Sequence, residues 1–165
     1  MNHNCVVVAD GSRARFFQLE ESEFPELESS PNLKEINDLV NPEREMRYDE
    51  LWSEAKSGRN RTPTGGAAHG YDDHRSQHED EFERRFARTI AAEAERLTLQ
   101  NGSRELLVVA QKRTLGFLRE ALDSLTRRGV QIRELAKDLS KLKPLELHEH
   151  LAREHLLPKR RLPQG

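Results

Sequence analysis

The first twenty residues carry the hydrophobic pattern of a β-hairpin. An unbroken apolar run, Cys5–Ala9, is followed by Asp10-Gly11, a strong turn dipeptide because glycine adopts positive φ without steric cost. A second strand is predicted over Ala14–Leu19, with Phe16 and Phe17 on opposite faces. Because an apolar run without alternation is typical of a strand buried on both faces, we expect the first strand to be central.

A weaker apolar signal predicts a third strand over Leu33–Leu39, and a long helix is predicted to begin at Ser76. Ser76-Gln77-His78-Glu79 fits a capping box, in which the serine hydroxyl and the glutamate carboxylate satisfy each other's backbone N–H groups. The following apolar residues recur every three or four positions and form one helical stripe: Phe82, Phe86, Ile90, Ala94 and Leu97. Asn101-Gly102 predicts a left-handed cap at the end of this helix.

The last third of the chain alternates strands and helices. A second central strand is predicted over Arg104–Ala110, then a helix over Thr114–Arg128 with a cap glycine at Gly129. A short strand over Val130–Leu135 and a helix from Pro144 to His155 follow. The predicted order is therefore β-β-β-α-β-α-β-α, an α/β fold with a mixed sheet and helices on its faces.

Two segments lack any apolar periodicity. Residues 42–75 combine prolines, glycines and many charges, so we predict a long flexible loop inside a single domain of residues 1–157. Residues 158–165 form a basic, proline-flanked tail that is expected to fray.

Composition narrows the classes of function. The chain has 165 residues, 35% hydrophobic and 34% charged, with a net charge of −2. This balance gives no global attraction for DNA or a membrane, so any binding must come from local patches. The single cysteine, Cys5, is expected to be a buried thiol. No signal peptide or membrane span is apparent, and we expect a cytoplasmic protein, monomeric by default.

The polar residues suggest three kinds of chemistry, of which a two-metal nuclease is the weakest. Such enzymes need carboxylates on their central strands, and Val6–Val8 and Leu106–Val109 carry none. Asp10 is explained by the turn that it begins.

An anion-binding patch is a second possibility. Lys112 and Arg113 follow the fourth strand, at the edge where open α/β sheets bind ligands. With Arg13 and Arg15 they form a candidate anion site, although a solvated face of four exposed side chains is the favoured interpretation. Lys137-Asp138-Leu139-Ser140 is interpreted as a strand exit in which Asp138 or Ser140 supplies backbone hydrogen bonds.

A metal site is the third possibility. His69, His74 and His78 fall within ten residues, together with Asp72 and Asp73. His74 and His78 are four apart, as in metal-binding helices, but a helix that begins at Ser76 leaves His74 outside it. Solvated loop histidines are the alternative, and no role is assigned to the three C-terminal histidines: His148, His150 and His155.

Three sequence blocks, in order, resemble the bacterial host-attachment protein family. They read VVVADGSRARFF from Val6, LLVVAQKRTLGFLREAL from Leu106 and AKDLS from Ala136. That family is related to the middle domain of the class-1 translation termination factor of archaea and eukaryotes. The resemblance therefore implies a ribonuclease H-like architecture of the termination-factor middle-domain type.

The resemblance also suggests a role for the pair Gly65-Gly66. In the termination factor, a Gly-Gly-Gln tripeptide before a long helix enters the peptidyl transferase centre. This chain has Thr64-Gly65-Gly66-Ala67 in the corresponding place, without the glutamine, so peptide release by that mechanism is not expected. The segment could instead dock on RNA, because arginines engage phosphates and glycines permit close approach. The candidate RNA-binding residues are Arg59, Arg61, Gly65, Gly66 and Arg75.

Together these interpretations favour a non-catalytic protein that binds the ribosome or tRNA without a cofactor, with cellular stress as the suggested condition. Two alternatives stay open: a metal-dependent hydrolase that uses the segment from His69 to His78, and an interaction scaffold without chemistry.

Overall fold

The computed structural model describes residues 4–42 and 67–163, and for residues 67–76 it describes the backbone alone. Most of the predicted 42–75 loop therefore lies outside the described residues.

A five-stranded mixed sheet forms the centre of the molecule, in the order β3-β2-β1-β4-β5. Its strands have these bounds: β1 Asn4–Ala9, β2 Arg13–Glu20, β3 Asn32–Val40, β4 Glu105–Ala110 and β5 Gln131–Ala136. The first three strands form an antiparallel meander, while β1, β4 and β5 run parallel to one another. The mixed α/β class and the central position of β1 are confirmed.

Helices cover both faces of this sheet. They have these bounds: α1 Ala67–Asn101, α2 Lys112–Ala121, α3 Asp123–Arg127 and α4 Pro144–Arg153. Phe16 of β2 packs in the core under α1, α2 and α3, while Phe17 packs in the core under α4. The alternation predicted for this phenylalanine pair is therefore confirmed, and the fold has three layers.

The predicted start of the long helix is wrong. The helix begins at Ala67, so Ser76 is an interior residue of the helix and not its N-cap position. A serine cap contributes only about 1 kcal/mol, and no proline lies between Ala67 and the predicted cap to stop the helix. The end of α1 is confirmed, since Gly102 has φ of +65°.

The single helix predicted over Thr114–Arg128 is also wrong, because it begins at Lys112 and is broken at Leu122. Leu122 accepts from Leu125 N–H at 3.0 Å, a three-residue turn that restarts the chain as α3. Both leucines remain buried at the break, at 2% and 0% exposure.

Part of the C-terminal tail is hydrogen-bonded to the segment before β3. Arg161 N–H donates to the Ser30 carbonyl at 2.7 Å, and Ser30 N–H donates back at 3.2 Å. This bridge, with buried Leu157, holds the tail beside the start of β3 and contrasts with the fraying expected from the sequence.

Candidate functional site

The carboxyl ends of the three parallel strands meet at one edge of the sheet, here called the carboxyl edge. Asp10 follows β1, Gln111 follows β4 and Lys137 follows β5. The chain leaves β1 towards β2 and leaves β4 through α2 towards β5, in opposite directions along the sheet. Open α/β sheets bind ligands where successive connections diverge in this way, so a ligand site is expected at this edge.

Asp10 organises the turn at this edge. Its Oδ1 accepts from Ser12 N–H at 2.8 Å, from Ser12 Oγ at 2.9 Å and from Arg13 N–H at 2.8 Å. Burial raises the pKa of Asp10, but these hydrogen bonds, together with the nearby Ser140 hydroxyl, lower it by more, so the net pKa lies below the usual value. An acid held ionised this way is a poor proton donor, which fits a structural turn.

The predicted strand-exit role of Lys137-Asp138-Leu139-Ser140 is consistent with the local geometry. Ser140 N–H and Ser140 Oγ both donate to Asp138 Oδ1, at 3.3 and 2.8 Å. The same hydroxyl lies close enough to Asp10 to lower the pKa of that carboxyl, so the loop after β5 lies beside the loop after β1. The hydroxyl donates to a carboxylate of its own loop, which is typical of a local turn.

Arg15 is the buried cation of the candidate anion site. Its guanidinium binds both oxygens of Glu35, at 3.0 and 2.8 Å, and donates to the Ser140 and Leu142 carbonyls at 3.0 and 2.6 Å. It also lies 5.0 Å from the ring centroid of Phe17. These contacts engage all three nitrogens of the guanidinium, so Arg15 holds the fold together at this point.

The other cations of that set are also engaged or lie apart. Arg13 forms a two-point ion pair with Asp38, at 2.8 and 2.5 Å. Arg113 pairs with Asp80 and with Glu83 of α1, the latter at 3.0 Å. Arg15 packs on the α4 face, whereas Lys112 and Arg113 begin α2 on the opposite face. The structure therefore does not bring the four residues into one patch.

Helix α1 extends past the carboxyl edge. Asp80 and Glu83 of α1 contact Arg113 in the first turn of α2, which marks the level of that edge. The thirteen helical residues 67–79 lie beyond it, about 20 Å of helix at 1.5 Å per residue. The first buried residue of the described stripe is Phe86, so only the C-terminal half of α1 packs on the sheet.

The candidate RNA-binding and metal residues lie on or next to this extension. Arg59, Arg61, Gly65 and Gly66 lie outside the described residues, and His69, His74 and Arg75 are in α1. His74 is thus inside the helix, contrary to the prediction from the Ser76 cap. His78 is exposed and stacks on Phe82 with ring centroids 6.3 Å apart. Where side chains are described, no three potential ligands cluster to hold a metal ion.

Sequence reasoning missed a cavity at the other end of the molecule. It measures about 440 Å³ and lies between α4, the C-terminal tail and Ser29, with His148 in its lining. The histidine was assigned no role because its helix pattern does not distinguish a core position from a surface one. The basic run from Lys159 to Arg161 is the sequence feature that could have indicated a site here.

A family described as "Protein required for attachment to host cells" matches residues 5–151 of this chain. The match spans every strand and helix from β1 to within α4. The chain belongs to that family. No curated protein gives a significant match to it, and across the described ranges 4–42 and 67–163 no helix is long and apolar enough to cross a membrane.

Proposed function

We propose that this member of the host-attachment family is a non-catalytic RNA-binding protein, with the ribosome or tRNA as its partner. The observation that carries the proposal is the extension of α1. A helix that continues about 20 Å beyond its packed domain can enter a groove that the domain itself cannot.

The residues joined to this extension have the chemistry for RNA. Gly65 and Gly66 precede the first helical residue, and Arg59 and Arg61 come a few residues earlier. Arginine binds phosphate oxygens in a two-point geometry, and glycine lets a backbone approach a nucleotide closely. Arg75, in the extension itself, adds a further positive charge.

The strand order supports the finer relationship that we propose for the fold. An order of β3-β2-β1-β4-β5, in which β2 alone runs opposite to the other four strands, is what a ribonuclease H-like sheet would have. Within that proposal the α1 extension corresponds to the long helix after the termination-factor glycines. A cytoplasmic location follows from a ribosomal or tRNA partner.

The family description names attachment to host cells. We propose that this chain affects attachment indirectly, through RNA binding inside the cell.

The test measures association with ribosomes and with tRNA at low and raised salt. We expect salt-sensitive co-sedimentation with ribosomes or salt-sensitive fluorescence anisotropy with labelled tRNA. Arg59→Ala/Arg61→Ala should weaken binding and lower the slope of log affinity against log salt by about 1.5, as expected for two lost phosphate contacts.

A matched control removes the same charge elsewhere. Arg88 and Arg127 are exposed positions of α1 and α3, and Arg88→Ala/Arg127→Ala should retain the wild-type slope. Absence of binding to both ribosomes and tRNA at low salt would overturn the proposal and leave an interaction scaffold.

A further inference from the structure

The cavity between α4 and the C-terminal tail has walls of unequal charge. Three cations line it, Arg153, Lys159 and Arg160, against one carboxylate, Glu149. Its volume of about 440 Å³ falls within the range of small-molecule sites in proteins. An excess of positive charge in a concave site favours an anionic ligand.

Two of these cations have no counter-ion in the described part of the chain. Arg153 and Lys159 are exposed and form no ion pair there. Arg160 donates its Nε to Asn32 Oδ1 at 2.9 Å, which orients the guanidinium and engages one of its donors. Arginine and lysine donors gathered around one concave site match the several acceptor oxygens of a phosphate group.

His148 contributes a buried polar atom to the same site. The side chain is 1% exposed, and its Nε2 lies 2.9 Å from the Pro158 carbonyl. A carbonyl oxygen only accepts, so Nε2 donates and Nδ1 carries the lone pair when the ring is neutral. That Nδ1 is buried and has no partner among the described residues, and buried polar atoms are usually satisfied. Because that nitrogen is shielded from solvent, His148 serves as a fixed part of the wall beside the ligand.

The walls of this cavity are held in place before any ligand arrives. The Arg161–Ser30 bridge fixes the tail against β3 by two hydrogen bonds, and Arg161 also reaches Glu21 at 3.3 Å. The Pro158–His148 bond fixes the tail against α4. A preformed site binds without the entropy cost of ordering its walls.

We propose that this cavity binds a small phosphate ester. Arg153, Lys159 and Arg160 hold the phosphate group, and the rest of the cavity, about 440 Å³ in all, takes the organic part. The site is independent of the proposed RNA contact, because it lies on α4 and the tail, away from the α1 extension.

The test uses defined probes on the full chain. Ribose 5-phosphate and adenosine monophosphate are titrated by calorimetry and by NMR, with ribose, adenosine, succinate and inorganic phosphate as comparison compounds. We expect the two esters to bind, their unphosphorylated counterparts not to bind, and the His148 ring resonances to shift with the esters.

The variants Arg153→Gln and Lys159→Gln should each weaken ester binding by about tenfold, the loss for one charge-assisted hydrogen bond. Arg127→Gln, on α3 with its side chain 79% exposed, makes the same charge change outside the cavity and should bind normally. Thermal melting checks that all three variants are folded.

Several results would overturn the proposal. These are no ester binding at millimolar concentration, equal binding of adenosine and its monophosphate, succinate binding as tightly as the esters, or unchanged affinity in both cavity variants. Binding of inorganic phosphate alone, without the esters, would also reject the site as one for an organic ligand.

Discussion

Two groups of cations in this protein differ in how their charge is balanced. At the carboxyl edge, Arg13, Arg15 and Arg113 each hold carboxylates within hydrogen-bonding distance. Around the C-terminal cavity, Arg153 and Lys159 have no ion pair among the described residues. The first group joins strands and helices of the fold, while the second leaves its charge available to a ligand.

The comparison shows that basic residues at a favourable edge of a sheet are not by themselves an anion site. A cation whose donors are occupied within the protein gains little from an external phosphate, because binding would have to break the existing pair. An unpaired cation has no such competing partner. The contrast predicts a large effect on stability for the buried Arg15 of the carboxyl edge and small effects for the cavity cations.

The largest effect is expected for Arg15→Ala. The substitution leaves Glu35 without its buried cation and strips the Ser140 and Leu142 carbonyls of a donor. We expect the free energy of unfolding to fall by about 3 kcal/mol, measured by urea denaturation.

Arg153→Ala is the control for this prediction, because Arg153 has no ion pair to lose among the described residues. Its free energy of unfolding should lie within about 0.5 kcal/mol of wild type. Equal losses of unfolding free energy in Arg15→Ala and Arg153→Ala would contradict the difference drawn between the two groups of cations.

A smaller and pH-dependent effect is expected for Asp10→Asn. Burial raises the pKa of Asp10 and its hydrogen bonds lower it by more, so the folded pKa lies below the ordinary value of 3.8. Ionised Asp10 therefore stabilises the fold above about pH 4, and this contribution is lost as the pH falls through the folded pKa.

At neutral pH we expect Asp10→Asn to lose about 1 kcal/mol of unfolding free energy. The gap from wild type should close in urea titrations taken from pH 6 down to pH 3. Asp123→Asn, at an exposed helical pair with Arg127, should show a smaller gap at neutral pH. A gap for Asp10→Asn that widens in acid would contradict the role given to its hydrogen bonds.

Sequence pattern predicted the sheet well because burial dictates residue type there. The run Cys5–Ala9 is buried along its whole length, and only a central strand explains five apolar residues without alternation. The start of α1 could not be predicted in this way. Residues 67–76 precede the first buried position of the stripe, so no hydrophobic period marks them and the local Ser76 signal misled.

The candidate site was predicted less well, since its features depend on distant pairs. Arg15 and the Ser140 carbonyl are 125 residues apart in the chain, and Arg113 and Asp80 are 33 apart. The local sequence does not distinguish an arginine that pairs with a distant residue from one that has no such partner. The partners follow only from the register of the strands and the packing of α1 on α2.

Among the carboxyl-edge variants the smallest effect is expected for Arg113→Ala. Glu83 is only 15% exposed, but Asp80 is 45% and Arg113 itself 53% exposed, so solvent screens most of the attraction. We expect a loss of about 0.5 kcal/mol in urea denaturation at low salt, and a smaller loss at 1 M salt because the Debye length falls to about 3 Å. Arg15→Ala, whose cation is buried, should keep its loss at both salt concentrations. A salt-independent loss for Arg113→Ala would mean that the aliphatic part of its side chain packs between α1 and α2. Arg113 would then stabilise the fold by buried contacts, as Arg15 does.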